Sequence, residues 1–282
     1  MKKKVIKFFY LLIGFCFFQS CVSRKTQFGT KTEIRDSKDS TQSLAKISLI
    51  KSLEYSEFKE GQFSNENKSL KYRILRPEKL DLNKKYPLIV VFHGSGAIGS
   101  DNKSQMGVLS KMWLLPENRK KFPAFVIAPQ FPVRSSNYHL DTTRGVQVSE
   151  SNEYLDLLLK SVDSLASAEN IDRSRIYVIG FSMGGSTTTN AVSKRPDLFA
   201  AAINISGISQ FNNNENLLKT PIWMVHGSLD TDNFPQSNLK FYDEMKDKGQ
   251  VLFWEFKDKY HNNIISAKLV DALPKWLFNQ KK

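Results

Sequence analysis

Six short, continuous apolar runs recur along this chain, and they constrain its fold more than any other feature. They are Leu88–Phe92 (LIVVF), Ala124–Ala128 (AFVIA), Ile176–Ile179 (IYVI), Ala201–Ile205 (AAINI), Ile222–Val225 (IWMV) and Val251–Phe256 (VLFWEF). A run this short that does not alternate with polar residues suits a strand covered on both faces, hence a mostly parallel sheet. Helical spacing fills the gaps. In 150–168, Tyr154, Leu157, Leu158, Val162 and Leu165 fall on one face, and 184–194, 235–248 and 264–278 are three further helices by the same criterion. Ser69–Arg76 alternates instead and predicts an antiparallel strand, paired with another before residue 80 at the edge of the sheet. Strand and helix alternating over about 200 residues predict an α/β fold, with an eight-stranded, mostly parallel sheet and helices on both faces. No fixed-period repeat competes with this reading.

The N-terminus has a different character. Lys2, Lys3, Lys4 and Lys7 precede an apolar run from Phe8 to Phe18, then Gln19-Ser20-Cys21. Charged start, short apolar stretch and small residue form the pattern of a secretory signal over 1–20. The run is shorter than the roughly 20 apolar residues a membrane-spanning helix needs. Cys16 and Cys21 are the only cysteines, so the folded region is expected to hold neither a disulfide nor a thiolate metal site. Phe18-Gln19-Ser20-Cys21 resembles a bacterial lipobox, with Phe where Leu is usual. The resemblance implies lipidation at Cys21 and an exported protein anchored to a bacterial membrane, on the periplasmic or cell-surface side. Residues 22–45 are polar and predict a flexible tether, which gives 21–45 as lipidated cysteine plus tether and 46–282 as the folded domain. The formal net charge of +13 is scattered rather than gathered into a stripe with stacking aromatics. That argues against a nucleic-acid partner and for a solvated basic surface, favourable beside anionic lipid. Nothing in the sequence specifies an oligomeric state.

One motif carries chemistry. Gly180-Phe181-Ser182-Met183-Gly184 follows the strand at 176–179 and opens the helix at 184–194. Strand, sharp turn and helix is the setting in which a G-x-S-x-G serine is exposed as a nucleophile, and the glycines are needed where side chains would strike the neighbouring strand or helix. His93-Gly94-Ser95-Gly96 follows the strand at 88–92, where backbone N–H groups can approach a substrate oxygen. The N–H groups of Ser95, or less directly Gly96, and of Met183 are the expected oxyanion donors. The partners of a serine in this setting follow in the order acid, then histidine. Asp230 stands just after the strand at 222–225, with Asp232 its rival two residues on, and His261 is the only histidine beyond them. His93 and His226 are expected to brace their loops and His139 to lie on a surface loop. Loops at 97–118, 130–149 and 207–216 are expected to line the pocket, with Trp113, Phe131, Tyr138 and Phe211 as its apolar contacts. Chemistry of this kind requires no metal and no organic cofactor.

The same residues carry a family resemblance. Tyr86–Gly96 with Gly99–Asn102, Phe122–Gln130, Asp172–Gly185 and Arg195–Ala201 together resemble the esterase and "predicted peptidase" branch of the α/β-hydrolase superfamily. This branch includes relatives of dienelactone hydrolase, of the phospholipase/carboxylesterase family and of feruloyl and acetylxylan esterases. The resemblance spans about residues 60–280 and implies Ser182, Asp230 and His261 as catalytic residues. It also implies a small-molecule or carbohydrate ester as substrate. The chain departs from the family pattern at Tyr260, where glycine is common. It departs again in Asp230–Pro235, one residue longer than usual, and at Thr187–Thr189, where an aromatic residue is common. Three functions fit: a carboxylic ester hydrolase, a serine peptidase acting on small peptides, and a catalytically silent lipoprotein that binds glycan or a partner.

Overall fold

The computed structural model describes residues 28–35 and 41–282. The signal segment 1–20 and Cys21 lie outside the described residues. Eleven strands follow in chain order: β1 Thr30–Ile34, β2 Lys59–Ser64, β3 Ser69–Leu75, β4 Tyr86–Phe92, β5 Phe125–Gln130, β6 Ser136–Asp141, β7 Val146–Ser151, β8 Ile171–Phe181, β9 Ala201–Ile205, β10 Ile222–Gly227 and β11 Val251–Phe256. The helices are α1 Thr41–Ser52, α2 Val108–Lys111, α3 Pro116–Lys121, α4 Glu153–Ala168, α5 Met183–Lys194, α6 Asn214–Leu217, α7 Gln236–Met245 and α8 Ala267–Phe278.

Nine strands form one sheet in the order β1-β11-β10-β9-β8-β4-β5-β3-β2. All neighbours are parallel except β3 against β5 and β2 against β3. The six apolar runs are its central strands. Every residue of β4 is buried, and the pleat divides them between two cores. Leu88, Val90 and Phe92 join Ile176 and Val178 of β8 under α4 and α7. Ile89 and Val91 join Tyr177, Ile179 and Ile203 under α8. Burying each such side chain contributes about 1.5–3 kcal/mol, so a strand with two covered faces holds its register firmly. The chain runs outward from β4 to β5 and then returns to place β8 on the other flank of β4. That reversal opens a crevice at the carboxyl ends of β4 and β8, where open α/β sheets bind ligands.

Three expectations from the sequence need correction. The sheet has nine strands rather than eight, because Thr30–Ile34 pairs in parallel with β11 over five residues. The tether predicted over 21–45 therefore ends earlier, and α1 begins at Thr41. Only Ile34 of β1 is buried, which is why an apolar count passes over the strand. Lys31 pairs with Glu255 at 3.1 Å, and Lys257 donates its N–H to the Ile34 carbonyl at 2.9 Å. The charged, exposed face belongs to an edge strand that discourages further pairing. Second, residues 136–151 are not a loop but a separate hairpin of β6 and β7. Third, the helix expected from residue 150 starts at Glu153, because Glu150 and Ser151 belong to β7 and the Asn152 side chain accepts the Tyr154 N–H at 3.0 Å as a cap.

The β6–β7 hairpin rests on α5 through polar groups. The hydroxyls of Ser135 and Ser136 lie 2.8 and 3.0 Å from that of Thr187, and Tyr138 Oη lies 3.0 Å from Ser186 Oγ. Asn190 Nδ2 donates to the hydroxyls of Ser136 and Ser149, each at 3.1 Å. Thr187–Thr189 thus stand in place of an aromatic residue because this helix face carries a hydrogen-bonded hairpin. Thr188 and Thr189 satisfy their hydroxyls on the helix's own carbonyls.

Because β1 completes the sheet edge, a chain beginning at residue 41 is expected to melt about 2–8 °C below one beginning at residue 28, equivalent to the loss of about one to two kcal/mol in a domain of this size. Thermal unfolding followed by circular dichroism checks this; equal midpoints would mean that the edge strand adds nothing.

Candidate active site

Ser182 sits between β8 and α5 at φ 57°, ψ −121°, outside the regions a side-chain-bearing residue ordinarily occupies. The turn is held from both sides. Its N–H donates to the Ile205 carbonyl at 2.8 Å, and its carbonyl accepts the Ser186 N–H at 3.0 Å to start the helix. A β-carbon on Gly180 would collide with the carbonyl of Gly184, and one on Gly184 with the carbonyl of Phe92. Both glycines of the motif are therefore required by close backbone approach, as the sequence pattern implied.

Three of the predicted residues meet at this turn. Nε2 of His261 lies 2.9 Å from Ser182 Oγ, and Nδ1 lies 2.8 Å from Asp230 Oδ2. An ionised carboxylate only accepts, so Nδ1 carries the proton and Nε2 is left to accept from the serine hydroxyl. His261 opens a short 3₁₀ turn, His261–Asn263, after β11. Its ring lies 4.9 Å from that of Phe181, centroid to centroid. Asp230 follows β10 and is 2 % exposed. Its Oδ1 accepts the N–H groups of Asp232 (3.1 Å) and Asn233 (2.9 Å), a closed turn made with the extra residue of this loop. Asp232 itself lines the cleft and does not touch His261, so the geometry separates the two rival acids.

A buried network behind Asp230 was not legible from the sequence. His226 is fully buried, and its Nε2 lies 2.8 Å from the Asn233 carbonyl and 3.1 Å from Asp230 Oδ2. The Asn238 amide lies 2.9 Å from Nδ1, and Asn238 Oδ1 accepts from the Ser209 hydroxyl at 2.7 Å. The Ser209 bond fixes the Asn238 amide as donor to Nδ1, so His226 donates through Nε2. Burial pushes the Asp230 carboxyl up, but hydrogen bonds from His226, His261 and the Asn233 N–H outweigh it and hold the group well below the usual carboxylate range. A histidine at a strand end gave no signal of this partnership before the fold was known.

The loop after β4 lies against the serine. A β-carbon on Gly94 would sit 3.6 Å from that of Ser182. Ser95 starts a 3₁₀ turn, Ser95–Ala97, and Met183 is the first residue of α5. First N–H groups of a helical segment have no acceptor within it, so neither amide is committed to a bond inside its own turn. His93 is buried and braces this loop. Its Nδ1 lies 2.8 Å from the Gly94 carbonyl, and Nε2 accepts the Phe131 N–H at 2.9 Å. Burial pushes its pKa down, which the bond to the Gly94 carbonyl only partly offsets.

The cleft over Ser182 has a volume of about 470 Å³. Of the four predicted apolar contacts, only Tyr138 lines it. Trp113 packs beside Phe278 in the core beneath α8. Phe131 is fully buried against Phe92, and Phe211 packs edge-on to Phe241. Each is large and apolar, and the core claimed them. The loops 97–118 and 207–216 likewise fold inward, burying Met112, Leu114 and Ile208. The expected segment 130–149 does line the cleft, through Arg134, Tyr138 and Gln147 of β7, and the rest of the wall comes from Phe181, Asp232 and Asn233.

A twisted, mostly parallel sheet with a serine on a strained strand-to-helix turn at its switch point defines an α/β hydrolase. The chain belongs to the PET hydrolase-like family, whose model matches residues 126–277. Other likenesses are to esterases and to acylaminoacyl peptidases. A segment of 89 residues is 38 % identical to a bifunctional acetylxylan esterase/xylanase of Neocallimastix patriciarum, covering 32 % of this chain and 13 % of that protein. The crystal structure of a thermostable esterase superposes with TM-score 0.69 at 29 % identity, over 83 % of this chain and 64 % of that one. An acylaminoacyl peptidase of Pyrococcus horikoshii shares the fold at TM-score 0.59 and 20 % identity, over 83 % of this chain and 43 % of that one. This chain thus spans less than two thirds of each of these three proteins.

The low pKa of Asp230 fixes the sign of an acid effect. The folded state binds fewer protons at this site than the unfolded chain, whose carboxyl titrates near pH ~3.9, so its stabilisation is complete above that value and is lost as pH falls through the folded pKa. Chemical denaturation across the acid range is expected to show the stability gap between the native protein and Asp230→Asn shrinking as pH drops. A gap that stays constant would show that Asp230 is not held ionised.

Proposed function

We propose that the protein is a serine hydrolase that cleaves carboxylic esters through an acyl-enzyme, with Ser182 as nucleophile, His261 as base and Asp230 as its orienting acid. The observation that carries this reading is the continuous hydrogen-bonded line from Asp230 through His261 to Ser182 Oγ. In the first step Oγ attacks the acyl carbon while Nε2 of His261 takes its proton. Asp230 holds the tautomer and stabilises the imidazolium. Negative charge collects on the carbonyl oxygen, which the N–H groups of Met183 and Ser95 receive; each such donor is worth about 10²–10³ in rate. The tetrahedral intermediate collapses as His261 returns the proton to the leaving alkoxide. Water then attacks the acyl-enzyme, again with His261 as base, and releases the acid and free Ser182. Acylated carbohydrates are the favoured substrates. The polar cleft wall of Arg134, Gln147, Asp232 and Asn233 supports that preference, as does the similarity to part of an acetylxylan esterase/xylanase.

We further propose that the chain is exported and carries lipid on Cys21, which the basic start, short apolar run and Ser20-Cys21 junction support. Two chains or more on one cysteine give the stable anchoring that a single chain does not.

Ser182→Ala is expected to abolish labelling by a fluorophosphonate probe and to lower p-nitrophenyl acetate hydrolysis by at least about 10⁴-fold; labelling at the native rate would remove Ser182 from the scheme. Turnover of acetylated xylan oligosaccharides and feruloyl esters, set against peptide anilides, tests the preference for esters. Metabolic labelling with a radioactive fatty acid in a bacterial host is expected to mark the native chain and not Cys21→Ser, and equal labelling of both would refute the anchor.

A further inference from the structure

Arg134 differs from the other sheltered arginines of this protein. Among the described residues, Arg73, Arg119, Arg144, Arg175 and Arg195 each meet a carboxylate. Arg134 is half-buried in the wall of the cleft that holds Ser182. Its Nε donates to the Ser136 carbonyl at 2.9 Å, and its guanidinium carbon lies 4.7 Å from the centre of the Tyr138 ring. The Asn152 amide fixes the backbone by donating to the Arg134 carbonyl at 2.6 Å. Nη1 and Nη2 have no acceptor among the described residues. A guanidinium locked by a carbonyl and an aromatic face, with its outer edge unfilled, is preorganised for two oxygens in a plane. Both oxygens of a carboxylate meet that requirement. Asp232 is the cleft's carboxylate outside the Asp230–His261–Ser182 line, and it makes no ion pair with Arg134. The cleft is therefore polarised, cationic beside the hairpin and anionic on the loop after β10. An acidic group is drawn to the first wall and repelled from the second.

We propose that Arg134 binds a carboxylate carried by the ester substrate, so that the protein selects acid-bearing esters over neutral ones of equal size. An acylated sugar with an acid group belongs to this class. The inference rests on Ser182 as the nucleophile and names what the same site selects.

Matched substrates test it. On the acyl side p-nitrophenyl hemisuccinate is compared with p-nitrophenyl butyrate, and on the leaving side 4-acetoxybenzoate with 4-acetoxybenzamide. In Arg134→Gln the ratio of kcat/KM, acid over neutral, is expected to fall about 10- to 100-fold for at least one pair, mainly through KM. Arg134→Lys is expected to keep part of the preference, since the charge remains and the fork is lost. An unchanged ratio in both pairs overturns the proposal, because a brace or a donor to neutral oxygens would not distinguish charge. Binding of benzoate against benzamide, read by calorimetry, needs no turnover and no variant that must fold. Native protein that does not prefer benzoate also overturns the proposal. Benzoate preference without any ester hydrolysis overturns the nucleophile and leaves the role of Arg134 standing.

Discussion

At Ser182 the backbone adopts a left-handed φ that costs a residue with a β-carbon on the order of 1–3 kcal/mol. The rest of the site depends on that turn being over-determined. β8 arrives from the centre of the sheet with both faces buried, and α5 leaves with its first turn already bonded to the serine carbonyl. Gly180 and Gly184 allow two backbones and a helix to approach more closely than any side chain would permit. The turn holds Oγ 2.9 Å from Nε2 of His261. A relaxed turn would move Oγ away from it.

The acid side is built on a different principle. Asp230 is withdrawn from water, which by itself raises its pKa. Its two oxygens instead collect donors from His261, His226 and two backbone amides. His226 is in turn fixed by Asn238, which Ser209 orients. Ser209 also reaches the hairpin, because its carbonyl accepts the Ser149 N–H. The carboxylate that orients the imidazole and the wall that shapes the cleft thus share one rigid support. Satisfied buried networks of this kind specify a single arrangement.

What could be read from the sequence follows from where each residue's signal arises. The central strands announced themselves because a strand buried on two faces must be apolar throughout, and β9 and β11 begin and end where the runs do. The Gly180–Gly184 motif, Asp230 and His261 were legible because a strained turn and a fixed chain order leave few alternatives. β1 escaped because an edge strand is half-exposed, and Thr-Lys-Thr-Glu-Ile looks like linker until Lys31 meets Glu255. The β6–β7 hairpin escaped because its contacts with α5 are hydroxyls and amides, which hydropathy counts as surface. Trp113, Phe131 and Phe211 were misplaced for the converse reason. Large apolar side chains near a site are as readily core as lining, and only the topology separates the two.

The hairpin also has a consequence for how such a protein can diversify. β6 and β7 pair only with each other, while the nine-stranded sheet closes its ladders without them. The cleft wall they supply is therefore an addition outside the main sheet, tied to α5 by hydroxyls, to α7 by the Arg144–Glu244 ion pair at 3.2 Å and to the Ser209 carbonyl by the Ser149 N–H. Exchanges of cleft-facing side chains on the hairpin leave every ladder of the main sheet paired as before, whereas a change that moves Ser149 reaches Ser209 and the bonds behind Asp230.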